Sequence, residues 1–281
     1  VLKPCPLCSK SLQDSLFDFR SLPSRAFSSR AGFEGRALFE FCGEHGVFYS
    51  QAPVDSANLE MSYGEAPFDS HAESLCAAKD YYEALKPYLA QYRPRRVLDV
   101  GSGDGAFLSK LDEAFIESKL GLELNGRACQ WAQEKYEIEL LRHRFEDFEV
   151  EKRLDLITMF HVLSHLPLPL EALDKVSQSL RSGALFCVVD HDPEGGLQRL
   201  LGKKSPIFDP THFTLWTRDA LIKELVSRGF KLLETRAFKN KYPILYWLKM
   251  LGLDSRWMSR IFAKKMLRLR AGNRIWVFEK L

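Results

Sequence analysis

From residue 96 onward the apolar positions switch repeatedly between a period of two or a continuous short run and a period near 3.6. Arg96–Val100 is a short apolar strand, and Asp104–Ile116 follows as an amphipathic helix with Phe107, Leu108, Leu111 and Phe115 inward. Leu120–Leu124 is a second strand, Asn125–Lys135 a helix, and Ile138–Leu141 a third strand. Leu154–Phe160 is apolar almost throughout, as a strand covered on both faces should be. Leu170–Leu180 is a helix stopped by Ser182-Gly183, and Ala184–Val189 a fifth strand. Thr217–Arg228 is a helix capped by Gly229, Phe230–Arg236 a sixth strand, and Asn273–Phe278 a seventh. Strands alternating with helices predict a mostly parallel sheet with helices on both faces, a doubly wound α/β domain. Upstream, residues 71–90 form a helix with Leu75, Ala78, Tyr82, Leu85 and Leu89 on one face. Residues 46–70 read as a strand end and an irregular connection punctuated by Pro53, Gly64 and Pro67. The division is 1–70 for a small module with its connection and 71–281 for the main domain.

Composition narrows this little. Hydrophobic residues are 46% and charged residues 27% of 281, ordinary globular usage that excludes a disordered or collagen-like chain. The apolar runs at 154–170 and 243–253 are broken by histidine, proline or lysine before the ~20 residues a membrane span needs. No charged-then-apolar leader pattern opens the sequence. The net charge of +3 conceals an asymmetry. Between Lys239 and Arg274 stand five lysines, five arginines and a single acid, Asp254, so the rest of the chain is net negative. Trp257, Met258, Ile261, Phe262, Met266 and Leu269 recur there at helical spacing among Arg256, Arg260, Lys264, Lys265 and Arg268. The segment 239–272 therefore predicts a basic helical lid. Its partner would be an anionic membrane surface or a phosphorylated or lipid-linked molecule.

Three of the six cysteines fall in the first 45 residues. Cys5-Pro-Leu-Cys8 and Cys42-Gly-Glu-His45 are two knuckles that together supply three thiolates and one imidazole, a closed tetrahedral Zn²⁺ set with no open catalytic position. Cys76, Cys129 and Cys187 are scattered and read as free thiols, as a reducing cytoplasm permits.

The segment Val97-Leu-Asp-Val-Gly101-Ser-Gly103-Asp-Gly105 joins the first strand to the first helix. Its glycines allow a sharp turn and close approach to a ligand, and with Ala106 it satisfies G-x-G-x-x-G/A. Glu123 ends the second strand, where an acid holds the two hydroxyls of a ribose. Both a nicotinamide dinucleotide and S-adenosylmethionine carry that ribose. Asp99 and Asp104 suit a cationic amino-acid end and would repel a pyrophosphate. In Arg144-Phe-Glu-Asp-Phe148, after the third strand, Phe145 and Glu146 are an aromatic and an acid suited to an adenine face and its amino group.

With these residues the chain resembles the class I S-adenosylmethionine-dependent methyltransferases, of the bacterial type with an N-terminal zinc ribbon. The resemblance rests on Val97–Leu108, on Gly121-Leu-Glu-Leu-Asn125, and on Leu154–His165 with its His-Val-Leu-Ser-His ending. It continues through Leu180-Arg-Ser-Gly-Ala-Leu185 and Asp209-Pro-Thr-His-Phe213 with Trp216-Thr217. It implies a Rossmann-like seven-stranded sheet with a reversed last strand. It also implies that Gly101, Ser102 and Gly103 line the methionine end of the cofactor, that Leu124 lies beside the adenine, and that Phe160 and His161 face the methionine portion. Members often carry Glu where Ser164 stands and Cys where His45 stands. Zinc-ribbon relatives are associated with sugar or secondary-metabolite modification.

Methyl transfer needs in-line approach and sometimes a general base, for which histidine suits neutral pH. His161, His165, His191 and His212 all fall at expected strand ends or loops. His165 and His191 are the candidate bases, the latter between Asp190 and Asp192, which would raise its basicity. The expected reaction is methylation of a small-molecule or glycan-type acceptor. RNA methylation and a non-catalytic cofactor-binding scaffold stand as alternatives. Residues 1–45 carry six basic and five acidic side chains, a weak attraction for phosphates.

Overall fold

A computed structural model describes residues 5, 7–8, 39–51, 64, 71–111, 115–202, 205, 207–208, 211–243 and 266–281, without the side chains of 71–73, 240–243 and 266–271. Its centre is a seven-stranded sheet. The strands are β3 (Arg96–Val100), β4 (Ser118–Leu122), β5 (Leu140–Leu141), β6 (Leu154–Phe160), β7 (Leu180–His191), β9 (Phe230–Pro243) and β10 (Met266–Lys280). They lie in the order β5-β4-β3-β6-β7-β10-β9, parallel from β5 to β7, with β10 antiparallel to both β7 and β9. The expected sheet and its reversed last strand are both present.

Neighbouring residues on the central strands serve opposite faces, because side chains alternate along a strand. Leu98, Ile157, Phe186 and Trp276 pack with Leu173 and Val176 of α3 (Pro169–Ser179) and Leu221 and Leu225 of α5 (Arg218–Ser227). Val97, Leu156, Cys187 and Ile275 pack with Leu85 and Leu89 of α1 (His71–Tyr92) and Ala132 of α2 (Gly126–Tyr136). Burial on both faces is why β6 carries no polar alternation. A three-stranded antiparallel sheet, β1 (Phe39–Cys42), β2 (Val47–Ser50) and β8 (Thr214–Trp216), lies apart from the main one. Val47 pairs with Trp216, and Thr217 Oγ1 donates to the Gly46 carbonyl (2.6 Å). The N-terminal hairpin is thus stitched to the segment that opens α5, across the expected boundary at residue 70.

Several expectations are corrected. The helix over Asp104–Ile116 is replaced, among the described residues, by a single 3₁₀ turn at Leu108–Lys110 that ends in extended backbone at Leu111. On α1 the inward face is Ala78, Tyr81, Leu85 and Leu89, while Leu75 is exposed. The second strand ends at Leu122, which leaves Glu123 just beyond it. Ser182-Gly183 caps nothing: α3 ends at Ser179, and both residues lie within β7, at the irregularity in its pairing with β6 between Leu180 and Leu185. The basic lid is not helical at its ends. Residues 239–243 continue β9 and 266–272 open β10, as one antiparallel ladder. Apolar spacing alone does not distinguish a helix from a long hairpin there. Trp257, Arg260, Lys264 and Lys265 lie outside the described residues. Among those described, no helix is long and apolar enough to cross a membrane.

Candidate active site

The turn after β3 folds back over the C-terminal ends of the strands. Gly101 and Gly103 have φ of +68° and +57°, a region L-residues avoid. A Cβ on Gly101 would overlap Val162, so the turn lies directly on the segment leaving β6. A Cβ on Gly103 would meet nothing within 4 Å. Beneath the turn, Ser102 Oγ donates to the Asp99 carbonyl (2.7 Å) and Thr158 Oγ1 to the Asp99 carboxylate. Asp99 is fully enclosed. Burial, against the hydrogen bonds from Thr158 and Ser102, pushes its pKa up to about 7. The Glu123 carboxylate accepts from Gly103 N–H and Asn125 N–H, both at 2.8 Å. Asn125 caps α2 by accepting from the N–H groups of Arg127 and Ala128. One acid therefore ties the glycine turn to the start of the next helix. Open room at Gly103 beside an acid held at a strand end is a cradle that fits the sulfonium nucleoside.

The remaining expected residues have the following surroundings. Leu124 is half-buried, with its carbonyl accepting from Arg142. Phe145 is buried in the core with Lys175 Nζ over its ring (5.4 Å). Glu146 is half-buried near Arg144 (3.8 Å). Phe160 stacks on Tyr81 (4.1 Å between centroids) and meets Phe107 edge-on (4.9 Å), an aromatic wall behind the turn.

The four histidines do converge. Ring centroids run His161–His191 at 4.9 Å, His191–His212 at 4.9 Å and His212–His165 at 4.5 Å. Their hydrogen bonds fix their tautomers. His165 Nδ1 faces the Thr211 carbonyl (2.9 Å) and His212 Nδ1 the Ile207 carbonyl (2.8 Å). A carbonyl only accepts, so each Nδ1 carries the proton, and the neutral form of either ring has its lone pair on Nε2. Burial, then the His165 and His191 rings, hold His212 well below its ordinary pKa, so it is neutral. His161 sits at φ +57°, unusual for a side-chain-bearing residue, at the very end of β6.

The two acids flanking His191 take other partners. Asp190 accepts from Ser164 N–H and Oγ and from the His191 N–H (2.9, 2.9 and 2.8 Å). Asp192 pairs with Arg274 (2.8 Å). The His191 ring instead gives Nδ1–H to Asn273 Oδ1 (3.0 Å), and Asn273 Nδ2 donates to His161 Nε2 (3.3 Å). Asn273 was not foreseen. It enters through an interruption in the β9–β10 ladder between Leu269 and Asn273, and a glycine at 272 inside a strand pattern is the signal that marks it. In the N-terminal hairpin, ligand atoms of Cys5, Cys8, Cys42 and His45 all lie within 4.8 Å of one another, as the knuckles require.

Comparison with known proteins agrees with this geometry. A family described as a methyltransferase domain matches residues 68–235. The ubiquinone biosynthesis O-methyltransferase of Alkalilimnicola ehrlichii is 24% identical over 172 residues, 53% of this chain and 68% of that protein. A SAM-dependent methyltransferase from Archaeoglobus fulgidus superposes with a TM-score of 0.51 at 18% identity, covering 72% of this chain and 94% of its own. The plantazolicin methyltransferase BpumL, solved with S-adenosylhomocysteine, gives 0.53 at 15% identity, covering 75% and 87%. With that match over more than half of its length and the strand order in agreement, the chain belongs to the methyltransferase-domain family and is an S-adenosylmethionine-dependent methyltransferase.

Proposed function

We propose that the methyl group goes to a hydroxyl of a small-molecule or glycan-type acceptor, bound between the glycine turn and the histidine row. The observation that carries this reading is the row itself. Four imidazoles line the C-terminal ends of β6 and β7 beside the turn, and His165 offers an Nε2 lone pair. The cofactor supplies a methyl on a sulfonium, already activated toward attack. The acceptor oxygen forms the new C–O bond as the C–S bond breaks, the electron pair of that bond stays on sulfur, and His165 Nε2 takes the hydroxyl proton. The start of α2 and Glu123 hold the sugar end, while Asp99 lies under the turn near the cationic end. The curated relative acts in ubiquinone biosynthesis as an O-methyltransferase, which supports oxygen as the methylated atom. The basic stretch from Lys239 to Arg274 supports acceptors that carry a phosphate or a lipid-linked phosphate.

Cys5, Cys8, Cys42 and His45 are the ligands of a structural Zn²⁺ in this reading. Three sulfurs and one imidazole nitrogen match the donor set zinc favours. Cys8 and Cys42 sulfurs lie 3.9 Å apart, and Cys42 Sγ lies 3.6 Å from His45 Nδ1. The ion would fix the hairpin that pairs with β8.

The test is a panel of hydroxylated small molecules, glycans and phosphorylated sugars, incubated with S-adenosylmethionine and read by mass spectrometry for one added methylene mass. His165→Gln should lower kcat on the acceptor found while leaving the KM for S-adenosylmethionine within about 3-fold. Methylation of RNA with none of these acceptors, or transfer indifferent to His165→Gln, overturns the reading.

A further inference from the structure

We propose that the His161–His191 end of the row is a binding site for one divalent first-row transition ion, which holds the acceptor oxygen. This deepens the acceptor reading above and rests on it for the ion's role, though not for the ion's binding. One ring nitrogen each of His161 and His191 and one carboxylate oxygen of Asp190 lie within 4.8 Å of one another. An ion with bonds of about 2.1 Å sets neighbouring ligands roughly 3–4 Å apart, so closure requires movements of about 1 Å or less. Two imidazoles and one carboxylate form a nitrogen–oxygen set suited to Mn²⁺, Fe²⁺, Co²⁺ or Zn²⁺ rather than to Mg²⁺ or Ca²⁺, which prefer oxygen alone.

Three further features fit. First, His161 Nε2 and His191 Nδ1 converge on one side-chain amide, that of Asn273. An ion between the rings would replace that amide's bridging contacts. The His191 proton moves to Nε2, and Asn273 turns its oxygen toward the metal as a fourth ligand. Second, Asp190 is oriented as ligating carboxylates are. Ser164 holds it through both N–H and Oγ, and Oδ2 accepts a single hydrogen bond, which leaves it a lone pair. The serine that departs from the usual glutamate of the His-Val-Leu-Glu-His pattern therefore has a definite partner. Third, the site is open to a ligand: both rings are half-buried, and His161 is adjacent to Val162, against which the glycine turn packs. Positions left open on the ion would take the acceptor hydroxyl. A hydroxyl bound there loses its proton more readily, because the metal stabilises the resulting oxyanion.

The site is distinct from the thiolate cluster in its chemistry, and the test uses that difference. The full chain is stripped with chelator, restored with one equivalent of Zn²⁺ and saturated with S-adenosylhomocysteine. It is then titrated with Mn²⁺ while the free-ion electron paramagnetic resonance signal is followed. The expected result is one Mn²⁺ bound per chain. His161→Ala and His191→Ala should each abolish that binding, and the His191→Ala protein should still bind S-adenosylhomocysteine by calorimetry. Ser164→Ala, which acts only through Asp190, should weaken it roughly 10- to 100-fold. Absence of a second ion with Mn²⁺, Co²⁺ and Zn²⁺ alike, in protein that binds S-adenosylhomocysteine normally, overturns the inference. So does binding that persists in both histidine variants. Acceptor methylation that proceeds at full rate without added ion would overturn it too and leave the acceptor reading standing, whereas a bound ion with no hydroxyl acceptor found refutes that reading alone.

Discussion

Gly101 and Gly103 have nearly the same backbone conformation but different surroundings, so alanine at each separates a packing role from a ligand role. At φ of +68° and +57° both substitutions carry the left-handed cost, about 1–2 kcal/mol for an L-residue. At Gly103 nothing else is added, because a Cβ meets no atom within 4 Å. At Gly101 the new methyl overlaps Val162 and forces a shift there, an overpacking cost of about 1–3 kcal/mol. Gly101→Ala should therefore lose about 2–5 kcal/mol in denaturant unfolding and Gly103→Ala about 1–2. Adding Val162→Ala should return part of the Gly101→Ala loss and none of the Gly103→Ala loss. Calorimetry with S-adenosylhomocysteine gives the opposite ranking per unit of stability lost. Gly103→Ala fills space the cofactor needs and should weaken binding at least 10-fold in a protein that remains folded. Unchanged affinity in Gly103→Ala, or equal destabilisation by the two alanines with no rescue by Val162→Ala, refutes the placement of the cofactor against this turn.

Glu123→Gln puts an amide NH₂ against one of the two backbone N–H groups the carboxylate now serves, and it removes the charge facing the ribose. The loss should be about 2 kcal/mol of S-adenosylhomocysteine binding, roughly 30-fold in Kd by calorimetry. Burial raises Asp99 from the ordinary 3.8 to about 7, so the folded state holds a proton that the unfolded chain has released. Stability from this group is therefore lost as pH rises from about 4 to about 7. Asp99→Asn keeps the Thr158 hydrogen bond and should gain on the wild type across that window by up to about 4 kcal/mol, read as the difference between their unfolding curves at pH 3 and pH 8. A constant difference between the two would refute the buried, protonated acid. Cys42→Ser should abolish stoichiometric zinc in purified protein and lower the melting temperature of the whole chain, because β2 pairs with β8 at the mouth of α5. A zinc-free variant melting with the wild type would show that the cluster holds no ion of consequence.

The parallel half of the sheet was legible because burial on both faces leaves a short continuous apolar run, as in Leu154–Phe160, and the turns between runs carry glycine. The same logic failed where a signal was ambiguous. Asp104–Ile116 has apolar residues at helical spacing. Yet Phe107, Leu108 and Leu111 reach the core from a 3₁₀ turn and an extended residue, because the positive-φ turn before them consumes the first would-be helical turn. The alternation that makes β10 a strand continues upstream through Arg268 and Leu269. Basic residues interleaved with apolar ones fit a helix and a hairpin equally well, and only pairing with β9 decides between them.

The two halves of the site differ in how far they can be read from sequence, and the reason is chain distance. The cofactor half is local: Asp99, Gly101, Gly103, Glu123 and Asn125 span 27 residues, two consecutive strand–turn units, so their spacing encodes their geometry. The histidine half is assembled from the end of β6, the end of β7, the segment before β8 and an interrupted stretch of β10. His161 and Asn273 touch across 112 positions. No spacing rule connects those places. What connects them is the strand order, which sets β6, β7 and β10 side by side and brings three strand ends to one edge. Sequence could nominate His161, His165, His191 and His212 singly, each with a plain structural role as the weightier reading. The fold turns four separate histidines into one row, gives Ser164 a carboxylate to hold, and supplies in Asn273 the residue that joins the row's end. The histidine row is thus a property of the enzyme's topology, and under the proposed reading variants that disturb the β7–β10 pairing should alter acceptor chemistry before they alter cofactor binding.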